Sequence, residues 1–380
     1  MPDHKAYFAA QQEQYLALLD KLVRSESPSR DKAAIDRLGS QLAAHLAGMP
    51  GSLTRLPQTE AGDIYQFRFP GRSGGSQFLI LCHMDTVWPL GTLAERPPRV
   101  EGDRYVAPGA ADMKGGIVIA LGALSGLHSL GLQPASDVLL LLTSDEEIGS
   151  RASRSLIEEQ ARQSQLVLCL EPGMPDGSLK TARKGGMTVK IKTTGRAAHA
   201  GADHAAGVNA IEEMAHQVIS LQALTNYELG TTVSVGKIEG GVTTNIVPPA
   251  CTAFVDVRIA LPAERERMDR VLRAMRPRMP GAGLEVEISP GRPPMPRNEI
   301  MAAAYQKARQ IGERCGLQLT EASTGGASDA NFAAALGVPV LDGLGVVGGG
   351  LHAVDEYIEI TSLTERACLL AALLTEWQVS

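Results

Sequence analysis

Phe78-Leu79-Ile80-Leu81-Cys82-His83-Met84-Asp85 decides the reading of this chain. Five consecutive apolar residues with no polar alternation describe a strand covered on both faces, as in a parallel α/β sheet. The run then stops on a histidine and an acid. The same design recurs twice. Val138–Thr143 runs into Ser144-Asp145-Glu146-Glu147, and Leu166–Leu170 runs into Glu171-Pro172. Carboxyl ends of parallel strands line one edge of a sheet, where such proteins place ligands. His83, Asp85, Glu146, Glu147 and Glu171 are therefore expected to converge, although they are far apart in sequence. Asp112 opens a helix in Gly109-Ala110-Ala111-Asp112-Met113-Lys114-Gly115-Gly116 and can join them. His352 follows the Gly348-Gly349-Gly350 loop beyond the last apolar strand.

Outward from these strands, helical spacing covers Tyr7–Leu22 and Ala33–Leu46, separated by Ser27-Pro28-Ser29, and then Gly115–Leu130. After about residue 178 the pattern changes. Met187, Val189 and Ile191 alternate with Thr188, Lys190 and Lys192, which reads as a half-exposed strand. A helix with Val208, Ile211, Met214, Val218 and Leu221 on one side follows. Strands at Thr231–Ile238 and Ala250–Ile259, a helix carrying Met268, Val271, Leu272 and Met275, and a strand with Leu284, Val286 and Ile288 complete this part. The order β-α-β-β-α-β is that of a ferredoxin-like unit. Beyond Arg292 the α/β character returns, with a helix at Glu299–Arg314 and a strand at Val338–Leu341. The expected fold is α/β: a catalytic domain with a mostly parallel mixed sheet from residues 1–178 plus 292–380, and an inserted α+β domain at 179–291.

Composition narrows the function classes. The 380 residues carry 36 basic and 42 acidic side chains, a formal net charge of −6, with no Lys/Arg block. That argues against nucleic acid or an anionic membrane as the main partner. Five cysteines are widely spaced, mostly inside apolar runs, with no CxxC pair, as expected of buried, reduced thiols in a cytoplasmic protein. The N-terminal stretch lacks an uninterrupted apolar core, so no secretory signal is expected.

Each polar residue at the sheet edge has an ordinary explanation on its own: a loop histidine, a helix N-terminal acid, a solvated acidic pair. Together, several carboxylates at one edge raise each other's pKa unless something positive sits among them. A divalent metal supplies it. Two imidazoles and three carboxylates without a thiolate suit Zn²⁺ or a similar first-row ion. Five ligands exceed what one catalytic zinc takes, which points to two metals sharing a carboxylate. Glu146 and Glu147, being adjacent at a strand end, project differently, so one can ligate while the other faces water as a base. Asp85, two residues after His83, returns to the same side and can accept the other imidazole N–H.

The set His83-x-Asp85, Gly109-x-x-Asp112-Met113-Lys114-Gly115-Gly116, Asp145-Glu146-Glu147-x-Gly149, Glu171-Pro172 and a late His352 resembles the aminoacylase and glutamate carboxypeptidase family of dinuclear zinc hydrolases along nearly the whole chain. The folate-hydrolysing glutamate carboxypeptidases are the nearest in pattern. The resemblance implies two Zn²⁺ per subunit, with Co²⁺ or Mn²⁺ as substitutes. It implies that Asp112 bridges them, His83 and Glu171 complete one site, and Glu147 and His352 complete the other. Glu146 would be the general base and Asp85 would orient His83. A cis peptide after Asp112 is implied as well.

The inserted domain resembles the family's lid, used for dimerisation. Gly195-Arg196-Ala197-Ala198-His199-Ala200-Gly201 followed by Gly207-Val208-Asn209 matches the segment whose histidine reaches the partner subunit's site, so the resemblance makes His199 an oxyanion donor in trans within a homodimer. From its neighbours alone, His199 reads as a turn histidine before a helix. Arg258 falls on the polar face of Ala250–Ile259 and suits a bidentate contact with a substrate carboxylate, or an ordinary pair with Asp256. Asn245, Arg292 and the Gly325-Gly326 loop resemble further substrate contacts. The stretch 176–184 departs from the folate-hydrolysing pattern and leaves Lys180, Arg183 and Lys184 open as contacts; those enzymes are also often exported. The expected reaction is metal-dependent amide hydrolysis releasing a C-terminal amino acid from a small N-acyl or peptidyl substrate. The alternatives are an N-acyl-amino-acid deacylase of the acetylornithine or succinyl-diaminopimelate type and an inactive metal-binding protein.

Overall fold

The computed structural model describes residues 2–378. Contacts divide them into two units. The larger comprises the described residues up to Ala182, Arg297–Ser323 and those from Ser328 onward; the smaller comprises Arg183–Pro296 and Thr324–Ala327.

The larger unit is built on an eight-stranded mixed sheet. Its order is Ser52–Leu56, Ile64–Phe69, Ser136–Thr143, Ser73–His83, Ser164–Cys169, Val340–Asp342, Leu179–Arg183 and Glu321–Thr324. The three apolar strands read from the sequence lie side by side in parallel at its centre. Phe78, Leu79, Ile80, Leu139, Leu140, Val167 and Leu168 are fully buried, which is why the runs do not alternate. The helix Gly115–Ser129 packs against Ile360–Glu376 and Gln12–Val23. The segment Ala110–Ser129 is long and apolar enough to cross a membrane, but 89% of its apolar window is buried, as in a core helix.

Two parts of this unit differ from the sequence reading. The expected helix Tyr7–Leu22 is two helices, Pro2–Ala9 and Gln12–Val23, with a turn at Ala10-Gln11. No glycine or proline marks the break. It lets the rings of Phe8 and Tyr15 fill two notches in the core helix: a Cβ on Gly126 would lie 2.6 Å from the Phe8 ring, and one on Gly122 would lie 2.6 Å from the Tyr15 ring. A second sheet of Gly348–Gly349, Tyr357–Glu359, Arg104–Val106 and Arg99–Glu101 was not expected, because two- and three-residue strands leave no periodic signal.

The smaller unit has an antiparallel sheet ordered Thr232–Gly240, Ala250–Ile259, Gly185–Thr194 and Gly283–Ser289, with the helices Ala210–Gln222 and Pro262–Arg273. In chain order this is β-α-β-β-α-β. The inward residues Cys251, Ala253, Val255, Val257 and Ile259 are buried among Met187, Val189, Ile191, Met214, Met268 and Leu272. The side chain of Asn209 caps the first helix by accepting from the amides of Ile211 (2.9 Å) and Glu212 (3.1 Å).

Candidate metal centre

Register explains how distant residues meet. His83 ends its strand opposite Thr143, and Leu81 lies opposite Cys169. The chain therefore leaves neighbouring strands at one level, bringing His83, Glu146–Glu147 and Glu171 to one edge. Ser27 and Ser29 hold the loop after His83 from beneath, donating to the carbonyls of Met84 (2.7 Å) and Thr86 (3.2 Å). The small second sheet brings in the remaining two residues. Tyr357–Glu359 pairs on one side with Gly348–Gly349, making His352 part of the intervening loop. On the other side it pairs with Arg104–Val106, which leads into the turn that carries Asp112. The Asp112-Met113 peptide is cis.

The side chains converge. His83 Nε2 lies 3.0 Å from Asp112 Oδ1 and 3.5 Å from Glu171 Oε1. His352 Nε2 lies 3.3 Å from Asp112 Oδ2 and 3.2 Å from Glu147 Oε1. Asp112 thus faces one imidazole with each oxygen. Donor atoms of His83, Asp112 and Glu147 lie within 4.8 Å of one another, as do those of His83, Glu146 and Glu171. Distance alone therefore leaves Glu146 within reach of an ion, and its reading as a base comes from the resemblance. His352 adopts φ 59°, a left-handed conformation uncommon outside glycine.

The donor set fits divalent metal. His83 Nδ1 donates to the Asp85 main-chain carbonyl at 2.9 Å, which leaves Nε2 pointing at two carboxylates. A bare nitrogen lone pair aimed at anionic oxygens requires a cation between them, either a proton or a metal. Without ions the protein supplies protons. Burial opposes charging His83, yet the carboxylates of Asp112, Asp85 and Glu171 outweigh it and hold the imidazole well above its ordinary range. His352 is raised to about 10 by hydrogen bonding to Asp112 and Glu147. Burial likewise opposes ionising Asp112, but the two imidazoles hold its carboxyl well below the usual range. Burial raises Glu147.

The placement of Asp85 adds a detail that the spacing does not reveal. Its carboxylate lies 3.5 Å from His83 Nδ1, close enough to favour the charged imidazole, and also accepts from the amides of Glu146 (3.1 Å) and Glu147 (3.2 Å). The main-chain carbonyl of Asp85 takes the shorter hydrogen bond from the histidine, and its side chain also holds the acidic turn. Lys114, quoted in the motif without a role, is fully buried and donates to Ser25 O at 2.8 Å; burial lowers its ammonium to about 7. Glu356, also buried, has no signal in the sequence at all.

Within the smaller unit, Ala198–Ala200 pairs with Asn245–Val247, placing His199 and Asn245 on adjacent, exposed backbone segments. His199 Nδ1 accepts from the amides of Gly201 (3.1 Å) and Ala202 (3.0 Å), so the neutral ring carries its proton on Nε2. Arg258 pairs with Asp256 at 2.8 Å, both half exposed. The Arg292 carbonyl accepts from Gly186 N, and the Gly326 carbonyl accepts from the buried Arg183 guanidinium at 3.2 Å. Lys180 is buried and Lys184 half-buried.

The chain is similar to known proteins along most of its length. The model of peptidase family M20/M25/M40 matches residues 79–376. The chain is 33% identical to carboxypeptidase G2 of Pseudomonas sp. (strain RS-16), over 98% of this chain and 92% of that protein. It is 27% identical to the succinyl-diaminopimelate desuccinylase of Rhodospirillum centenum, over 95% and 97%. Its fold is similar to that of aminopeptidase PepT from Bacillus cereus, with TM-score 0.79 at 23% identity over 96% of this chain and 98% of that one.

Proposed function

Because this chain belongs to peptidase family M20/M25/M40, and so is a metal-dependent amide hydrolase, we propose that it releases a C-terminal amino acid from a short peptidyl or N-acyl precursor. The observation that carries the reading is the convergence of His83, Asp112, Glu147, Glu171 and His352 around a space that demands positive charge, with Glu146 beside it. Two divalent ions, zinc in this proposal, would be held by His83, Asp112 and Glu171 and by Asp112, Glu147 and His352. When bound they supply Lewis acidity, which makes a coordinated water acidic and polarises a carbonyl.

The chain's own groups do the rest. Glu146 takes the proton of the attacking water and passes it to the leaving amine. Asp85 fixes the turn that aims Glu146. His199 presents Nε2–H, the tautomer needed to donate to a developing oxyanion, and we assign it to the partner subunit's site. Asn245 stands beside it on the paired segment. Arg258 clamps the substrate carboxylate; its present partner Asp256 is an exposed neighbour of the kind that contributes little and exchanges readily. Arg292 and the Gly326 loop favour the carboxypeptidase type over a simple deacylase. The edge strand Thr232–Gly240, with Ile238, Val242 and Ile219 exposed nearby in sequence, supports assembly as a homodimer. Five free, buried cysteines support a cytoplasmic, reducing compartment.

The test is a substrate panel. Zinc-loaded protein is offered N-acetyl, N-succinyl, N-aroyl and N-peptidyl amino acids with acidic, basic and apolar C-terminal residues, and the released amine is measured. Preferred cleavage of peptidyl or aroyl substrates supports the carboxypeptidase type. Preference for N-acetyl or N-succinyl substrates replaces it with a deacylase. No release at all from protein with two ions bound would place the substrate outside peptidyl and N-acyl amino acids and overturn the proposal.

A further inference from the structure

Glu356 receives four hydrogen bonds on one carboxylate. Oε1 accepts from the amides of Ala111 (2.9 Å) and Asp112 (3.1 Å), and Oε2 accepts from the amide of Gly109 (2.8 Å) and the indole of Trp88 (2.9 Å). Its own carbonyl accepts from Ala107 N at 3.1 Å, and its amide donates to Ala353 O at 3.3 Å. The side chain is 1% exposed.

These donors come from separate segments. Trp88 belongs to the loop that leaves the strand of His83. Gly109, Ala111 and Asp112 form the turn that presents the shared carboxylate. Glu356 itself closes the loop that carries His352. An ionised carboxylate offers about four lone-pair sites, and here all of them are taken. No capacity remains for a metal or a substrate, and no neutral side chain of this size accepts four donors.

Resting on the metal-centre reading above, we infer that Glu356 is a positioning residue: one buried carboxylate that ties together the three loops presenting His83, Asp112 and His352, and so sets the spacing of the ions. The Asp112 amide and carboxylate belong to the same residue, so a shift at the amide moves the bridge directly. Outer groups that hold ligands in this way commonly change metal affinity by about 10–100-fold when lost. The charge of Glu356 is what the four donors require. Gln keeps one acceptor oxygen but turns an NH₂ toward two N–H groups. Asp keeps both oxygens but is one methylene too short.

The experiment titrates metal-free protein with Co²⁺, following its visible absorption, and then measures turnover at saturating Co²⁺. For Glu356→Gln the inference expects the second Co²⁺ to bind about 10–100-fold more weakly with an altered spectrum, kcat to fall at least tenfold, and KM to stay within about twofold. Glu356→Asp should not restore the wild-type spectrum. Trp88→Phe removes a single donor, keeps a ring for Arg96 to stack on, and should weaken Co²⁺ binding about two- to fivefold. Glu356→Gln with lowered thermal stability but wild-type Co²⁺ affinity and spectrum would make this carboxylate a fold contact only and overturn the inference. If Glu356→Gln does not fold, wild-type Co²⁺ binding by Trp88→Phe overturns it instead. Wild-type protein that binds no Co²⁺ would defeat the metal-centre reading itself, a separate outcome.

Discussion

Replacing Asp85 with Ala separates two jobs that one residue performs through different atoms. The His83 ring is held by the main-chain carbonyl of Asp85, which the substitution retains. The lost carboxylate strands the amides of Glu146 and Glu147, at a position that is 0% exposed. An unpaired buried N–H costs about 1–3 kcal/mol, so two cost about 2–6 kcal/mol, or roughly 4–12 °C in the unfolding midpoint of a unit this size. The functional loss falls on the turn carrying Glu147 and Glu146, the proposed ligand and base. Metal affinity should drop about 10–100-fold at the site containing Glu147, and kcat should fall further than KM changes. Asn at this position keeps one acceptor and opposes the second amide with an NH₂, so Asp85→Asn should be nearly as damaging. The assays are thermal unfolding with and without zinc, equilibrium dialysis against zinc, and steady-state kinetics. Asp85→Ala with wild-type zinc affinity and kcat, showing only a stability loss, would refute the claim that this carboxylate aims the acidic turn.

Acid stability should report on Asp63. Burial raises its pKa, but Lys32, the Gln58 amide (2.9 Å) and Arg55 (2.6 Å) outweigh this and hold it at about 2, below the ordinary 3.8. A depressed carboxyl stabilises above its unfolded pKa and loses that contribution as pH falls toward about 2. In urea unfolding, the advantage of wild type over Asp63→Asn should shrink by at most about 2 kcal/mol between pH 5 and pH 2, since Lys32 and Arg55 are partly solvated; a constant difference would contradict this. A Cβ on Gly345 would lie 2.3 Å from Leu170 O and 2.7 Å from Glu171 O, so Gly345→Ala should displace Glu171. It is expected to cost about 1–3 kcal/mol and to lower zinc content by mass spectrometry; unchanged zinc would show that the loop yields elsewhere. If His199 acts in trans, inactive His199→Ala and Glu146→Gln subunits should regain activity when unfolded, mixed and refolded together, because one site of each mixed dimer is intact. A mixture no more active than its components would place His199 outside the neighbouring site.

Much of the centre was legible because the sheet makes it so. Uninterrupted apolar runs ending in His83, Asp145-Glu146-Glu147 and Glu171 indicate parallel strands whose ends share an edge, and the parallel pairing and burial of these strands agree. The alternation in Ala250–Ile259 likewise predicted one buried face. What the sequence did not reveal depends on contacts between distant segments. The turn at Ala10-Gln11 serves the glycine notches of a helix more than 100 residues away. The sheet uniting Arg104–Val106 with Tyr357–Glu359 has strands too short to show a period. Glu356 has no motif, since its partners are mostly backbone amides that any sequence possesses. Asp85 was singled out from spacing, but the division between its carbonyl, which takes the His83 ring, and its carboxylate, which takes the amides of Glu146 and Glu147, arises only in the folded chain.

Glu146→Gln is the most direct test of the central claim, because it removes the proposed base while keeping its size. The account predicts protein that still binds two zinc ions per chain by mass spectrometry, unfolds at nearly the wild-type temperature, binds substrate with similar KM, and loses at least about 10²–10⁴-fold in kcat. A Glu146→Gln variant with two zinc ions and turnover within threefold of wild type would contradict it. So would a variant that fails to hold one of its ions, which would make Glu146 a ligand and move the base elsewhere.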